Sequence, residues 1–112
     1  MGYDVSIGGY ESNYTHNSLG KLCYAHLDKH NGLQSLNGIT GRDASKMLES
    51  FWESIHCEKL HLWKSDAVGE PKLQEKYDSP NGWGSLVGAL IFMGELTAAC
   101  RNYPRSKVKV SA

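Results

Sequence analysis

Residues 86–100 read Leu-Val-Gly-Ala-Leu-Ile-Phe-Met-Gly-Glu-Leu-Thr-Ala-Ala-Cys, and Pro104 and then Lys107-Val108-Lys109-Val110-Ser111 follow. The first run is apolar on most sides, the pattern of a central, buried helix. It opens at Asn81-Gly82-Trp83-Gly84-Ser85 and reaches about Asn102. Pro104 stops it, because proline cannot donate the next hydrogen bond of a helix. After the proline the period changes. Apolar and polar residues alternate strictly from 107 to 111, as in a strand with one wet face. Tyr3-Asp4-Val5-Ser6-Ile7 alternates in the same way at the other end of the chain. Two short strands are marginal alone and become plausible as a pair packed on helices. The expectation is an α+β fold: one domain over residues 1–112, about three main helices, and a small sheet formed by the N- and C-terminal strands.

Between these ends the punctuation is clear. Gly8-Gly9 ends the first strand, and residues 9–17, rich in Gly, Ser, Asn and Tyr, read as a loop or a ragged second strand. Ser18 is placed to cap a helix running to about Lys29, with Leu19, Leu22, Cys23, His26 and Leu27 on one face. Asn31-Gly32 is a natural stop. A connector with Asn37-Gly38 leads to Thr40 and Asp43, which resemble a capping box with Asp in place of Glu. Ala44, Met47, Leu48, Phe51, Trp52 and Ile55 then recur at three- and four-residue steps, the clearest helix of the chain. The pattern extends through Leu60 to Trp63, with a break expected near His56. Residues 64–81 read as a polar loop with a short helix around Leu73 to Tyr77.

Of the 112 residues, 40% are hydrophobic and 21% charged, enough to build a core without disulfides or metal. Twelve basic residues balance twelve acidic ones. That balance argues against extended nucleic acid as a partner, which needs a surplus of Lys and Arg. Cys23, Cys57 and Cys100 form no Cys-x-x-Cys pair and each falls in an apolar, helix-like stretch, so buried, reduced thiols are expected. No signal-peptide pattern opens the chain, and the most apolar stretch is too short to span a bilayer. The cytoplasm is the expected location, with no membrane partner.

Three groups of residues could carry chemistry. Cys23, His26 and His30 would share one side of a helix, and the His pair at i, i+4 could clamp a metal or serve a Cys/His-dependent hydrolase. Against this, His-Glu-x-x-His is absent, and Cys23 and His26 could equally belong to the core. Cys57 and His61 repeat the i, i+4 spacing. Asn13, Tyr14, Thr15, His16 and Asn17 form a run of hydrogen-bonding side chains that could read a polar ligand or close a turn on its own backbone. Asn81, Gly82, Trp83, Gly84 and Ser85 open a helix whose free N–H groups could receive an anion, with Trp83 stacking on a ring. The Gly-Lys-Ser/Thr ending of a phosphate-binding loop is missing, and a tight helix start with Trp83 in the core is the other reading.

Tyr3-Asp4-Val5, Asn13-Tyr14-Thr15-x-Asn17, Tyr24 and Leu36-Asn37-Gly38-Ile39-Thr40-Gly41 together resemble a family of small proteins encoded by tailed bacteriophages and prophages. The resemblance covers roughly the first half of the chain. A longer insert that family members often carry after the first strand is missing here. The family has no assigned reaction, so the resemblance implies a viral origin and action in the host bacterial cytoplasm, without catalytic residues or a resident cofactor. In that context the expected function is a non-catalytic binding module that inhibits a host antiviral defence. Its partner would be a nucleotide second messenger or a host defence protein, held by Asn13, Tyr14, Thr15 and Asn17 with Asn81, Gly82, Trp83 and Ser85. A small metal- or Cys/His-dependent hydrolase and a virion or assembly component are the alternatives. A homodimer is expected as a way of covering the edges of a small sheet.

Overall fold

The first strand sits in the middle of the sheet. In the computed structural model, which describes the backbone of residues 2–65, 76–78 and 84–111 and their side chains except those of 59–65, β1 (Gly2–Ile7) pairs antiparallel with two partners. On one side it meets β2 (Tyr10–Thr15), from Gly2↔Thr15 to Ile7↔Tyr10. On the other it meets β3 (Lys109–Ser111), through Asp4↔Ser111, Val5↔Val110 and Ser6↔Lys109. The order β2-β1-β3 confirms a sheet built from both chain ends.

The polar stretch after Gly8-Gly9 is therefore a full strand. The Ile7↔Tyr10 pairing leaves Gly8-Gly9 as a two-residue hairpin turn, and Gly8 carries the positive φ of 56° such turns require. Tyr10 and Tyr14 face the core, while Glu11 and Asn13 face outward.

Among the described residues three helices share one core with the inner face of the sheet. Helix α1 (His16–His26) begins directly after β2, with Thr15 at its N-cap. Ser18, the expected cap, is instead buried inside the first turn. Asp28 ends this region, its Oδ1 accepting from the N–H groups of His30 and Asn31 at 2.8 and 2.9 Å. A 3₁₀ turn (Gly32–Leu36) follows.

Helix α2 (Gly41–Ser65) is continuous, without the break expected near His56. Its start keeps half of the capping box, with Asp43 N–H donating to Thr40 Oγ1 at 3.4 Å. Ala44, Leu48 and Phe51 are buried, and Met47, Trp52 and Ile55 pack against the core from its margin. Helix α3 (Leu86–Asn102) lies against α2. Trp52 Nε1 donates to Thr97 Oγ1 at 3.0 Å, and that hydroxyl donates to the Met93 carbonyl at 2.7 Å. The expectation that α3 is buried on most sides needs correction. One face is open, with Val87 52% and Ile91 58% exposed.

After α3 the chain doubles back along the start of α2. Gly41 N–H donates to the Ser106 carbonyl at 2.7 Å, and Arg42 N–H to that of Pro104 at 3.0 Å. A Cβ on Gly41 would collide with the Tyr103 carbonyl oxygen and lie 2.6 Å from that of Cys100. Backbone meets backbone here, so nothing flexible can yield. Gly41→Ala is expected to destabilise the fold by about 1–3 kcal/mol, as overpacking does, and to lower the melting temperature by roughly 5–15 °C. An unchanged melting temperature would mean that the start of α2 is not held against the end of α3.

Candidate functional site

The residues singled out along Asn13–Asn17 do not share one surface. A strand sends successive side chains to opposite faces. Asn13 is exposed on the outer face, whereas Tyr14 reaches inward to the start of α3, its hydroxyl accepting from Ser85 N–H at 3.1 Å. Thr15 Oγ1 and Ser18 Oγ are buried close to Gly84, without a hydrogen-bond partner among the described residues. A Cβ on Gly84 would lie 2.6 Å from Thr15 Oγ1 and 3.2 Å from Ser18 Oγ, so these two side chains already fill this corner. Asn17 is exposed on α1. Asn81, Gly82 and Trp83 lie outside the described residues. The fold thus brings Tyr14 and Thr15 to Gly84 and Ser85, and turns Asn13 away from them.

The start of α3 is already supplied with acceptors. Leu86 N–H donates to Asp78 Oδ1 at 2.7 Å, and Gly88 N–H to Ser85 Oγ at 3.0 Å. A carboxylate of the chain itself occupies the position an anionic ligand would take, and its charge repels a second anion.

The outer face of the sheet is different. Two cross-strand rows run over it, Asn13–Asp4–Ser111 and Glu11–Ser6–Lys109. These six side chains border an open hollow of about 590 Å³. All are polar, two are acidic and one is basic, and all but the partly exposed Ser6 are exposed. They stand on a regular ladder whose other face is locked by Tyr3, Val5, Ile7 and Val110. Polar groups held in fixed rows on a rigid support are suited to reading a partner surface.

Cys23, His26 and His30 are not a site. Helix α1 ends at His26, so the His pair does not share a helix face, and His30 is exposed. Cys23 is fully buried with its thiol 4.0 Å from Met93 Sδ. Burial pushes that thiol up to about 12 and the Cys100 thiol to about 11, so neither is a thiolate near neutral pH. Cys57, expected to be buried, is exposed. The side chain of His61 lies outside the described ones.

His26 instead belongs to a polar cluster that sequence spacing did not reveal. Its Nδ1 lies 2.7 Å from Ser54 Oγ, and its Nε2 contacts the Glu58 carboxylate and lies 2.9 Å from the Tyr77 hydroxyl. Tyr77 donates to Glu58 at 2.9 Å, and Lys76 Nζ to Glu58 at 2.8 Å. Ser54 and Glu58, one turn apart on α2, grip the imidazole from α1 between them. The i, i+4 pair was readable as a helical neighbour pair; its partners, distant in sequence, were not.

A Ser–His–Glu series suggests nucleophilic catalysis, but acyl transfer also needs donors for the developing oxyanion. Ser54 stands in mid-helix, where backbone N–H groups are engaged by the carbonyls of the preceding turn. Among the described residues the contacts of the cluster fasten the short segment 76–78 to α1 and α2. Burial lowers the imidazole below its ordinary value, outweighing the opposite pull of Glu58. For Glu58, burial acts to raise the carboxyl, but hydrogen bonds from Lys76 and Tyr77 and the nearby His26 hold it below its usual value.

Comparison with protein-family models, with curated proteins and with solved structures finds no match to this chain.

The cluster makes stability depend on pH. Unfolded, His26 takes up its proton near 6.5; folded, it resists until a lower pH. Its contribution is therefore present above 6.5 and lost as pH falls through that value towards the lowered folded one. Glu58 acts in the same sense below 4.5, losing its contribution as pH falls through its depressed folded value. Melting temperature is expected to fall between about pH 7 and pH 5, the range in which a histidine titrates, and less steeply in His26→Gln. Equal slopes would show that the imidazole is not the titrating group.

Proposed function

We propose that the chain is a small phage-encoded accessory protein that acts by binding, without turnover, and inhibits a host antiviral defence by engaging a host defence protein. The observation that carries this reading is the polar outer face of the sheet, with Asp4, Ser6, Glu11, Asn13, Lys109 and Ser111 in two rows around an open hollow. The phage context rests on the sequence resemblance. A protein partner is favoured over a nucleotide second messenger by charge. Two carboxylates face one ammonium across the hollow, and the α3 N–H groups that might have received a phosphate bond Asp78 and Ser85. Neither arrangement attracts an anion.

Plating efficiency tests this directly. A defence-sensitive phage is plated on bacteria that carry single defence systems and express the protein. The expected outcome is restored plating on at least one strain, lost with the triple substitution Asp4→Ala, Asn13→Ala, Lys109→Ala. These side chains are exposed, so the variant should melt within roughly 6 °C of the parent. Failure to restore plating on any strain would overturn the proposal, and rescue that survives the triple substitution would move the site off the sheet. A nucleotide that binds the purified protein and is displaced by no host protein would favour the second messenger instead.

A further inference from the structure

Where the end of α3 passes the turn between β1 and β2, a second hollow opens, of about 400 Å³. The small residues Gly9 and Ala98 leave the room, and Tyr10 and Tyr103 border it. Glu95 and Asn102 also border it, two turns apart on α3 and so about 10 Å from one another along the helix. The ring of Tyr103 is held in place. Its N–H closes α3 on the Ala99 carbonyl at 2.9 Å, and its carbonyl accepts from Ser106 N–H at 3.2 Å. The side chain lies across the hairpin turn, where a Cβ on Gly8 would strike the ring and a Cβ on Gly9 would lie 3.1 Å from the hydroxyl. Tyr103 is nonetheless 38% exposed, so a fixed aromatic surface stays open beside the hollow.

The charge around this hollow has one sign. Glu95 is exposed and has no ion pair or hydrogen bond among the described residues. No described Lys or Arg borders the hollow. The Tyr10 phenol is raised above its ordinary value, chiefly by burial and in smaller part by the Glu95 charge, so that carboxylate acts on the hollow. The geometry points to the guanidinium of an arginine carried by a partner protein as the occupant, stacked on Tyr103 and paired with Glu95. A carboxylate beside an aromatic surface favours a cation. The hollow is open to water, so a strongly hydrated ammonium gains little there, whereas a guanidinium sheds water readily and stacks. A free amino acid is disfavoured, because its α-carboxylate would meet no described cation and would be repelled by Glu95. A peptide carries no such charge, and the Asn102 amide can bond its backbone.

An exposed ion pair and one stacking contact hold a single residue weakly, with a dissociation constant on the order of 1 mM. Within a larger contact the same side chain serves as an anchor. The assignment does not depend on the polar outer face of the sheet, since β2 turns Tyr10 to the opposite side, towards the core. Each surface can therefore fail its test without the other.

Titration of the full chain at low ionic strength with N-acetyl-arginine N-methylamide, up to about 20 mM so as to pass that constant, tests the assignment by amide chemical shifts. The signals of Gly9, Tyr10, Glu95 and Tyr103 should move together and saturate. The δ-methylene protons of the ligand should shift upfield, as protons over an aromatic ring do. The citrulline counterpart, of the same shape without the charge, and the lysine counterpart should each bind at least about fivefold more weakly. Free arginine should also bind more weakly than the blocked form. Glu95→Gln should weaken binding by at least about fivefold with an unchanged melting temperature. No saturable shift, no upfield shift of the ligand, or shifts centred on Asp4, Glu11 and Asn13 would each overturn the assignment. So would a citrulline, lysine or free-arginine ligand that matches the blocked arginine, or a Glu95→Gln variant that binds as tightly as the parent.

Discussion

Everything in this fold waits on the double pairing of β1. Val5 has Ser12 on one side and Val110 on the other, and the side chains of Tyr3, Val5 and Ile7 form the floor on which the helices pack. The hairpin with β2 is local. The ladder with β3 joins residues about a hundred positions apart, which is an entropic cost the core must offset. The segment before α2 helps to secure that ladder. Asn37 Oδ1 accepts from Val110 N–H, Gly38 N–H donates to the Val108 carbonyl, and Thr40 bridges Lys107. The outer side of β3 is thereby partly covered, whereas β2 ends the sheet on the other side.

Among the described residues several hydrogen-bonded side-chain groups link one element to another. The His26 cluster satisfies its own members, Asp78 and Ser85 satisfy the start of α3, and Thr97 links α2 to α3. Buried polar groups that bond one another fix a unique arrangement more than they add net stability. Among the described residues the sheet presents fixed polar rows on its outer face, and α3 leaves Val87 and Ile91 exposed.

The end strands and α2 were legible because their patterns have one period and one buried face. Val108 and Val110 turn inward as the alternation of 107–111 requires, and Ala44, Leu48 and Phe51 are buried on the stripe read from spacing. Strand β2 was ambiguous because its inward residues, Tyr10, Ser12 and Tyr14, are not uniformly apolar, and its pairing with β1 decides the matter. The polar run at 13–17 looked like one ligand-reading surface because sequence shows adjacency and hides direction. Strand alternation and the turn into α1 scatter it. The open side of α3 was concealed by composition, since a helix apolar on most sides reads as buried until its neighbours are placed around it. His26, Ser54, Glu58 and Tyr77 could not be joined from spacing, because a contact between distant segments leaves no local period.

The burial of two of the three cysteines has a practical side. Cys23 and Cys100 are enclosed and hold their protons well above neutral pH, while Cys57 stands exposed on α2. To an alkylating reagent the folded chain therefore offers a single fast-reacting handle. A fluorophore or spin label could be attached there without cysteine removal, and slow labelling of the other two would serve as a clock for opening of the core.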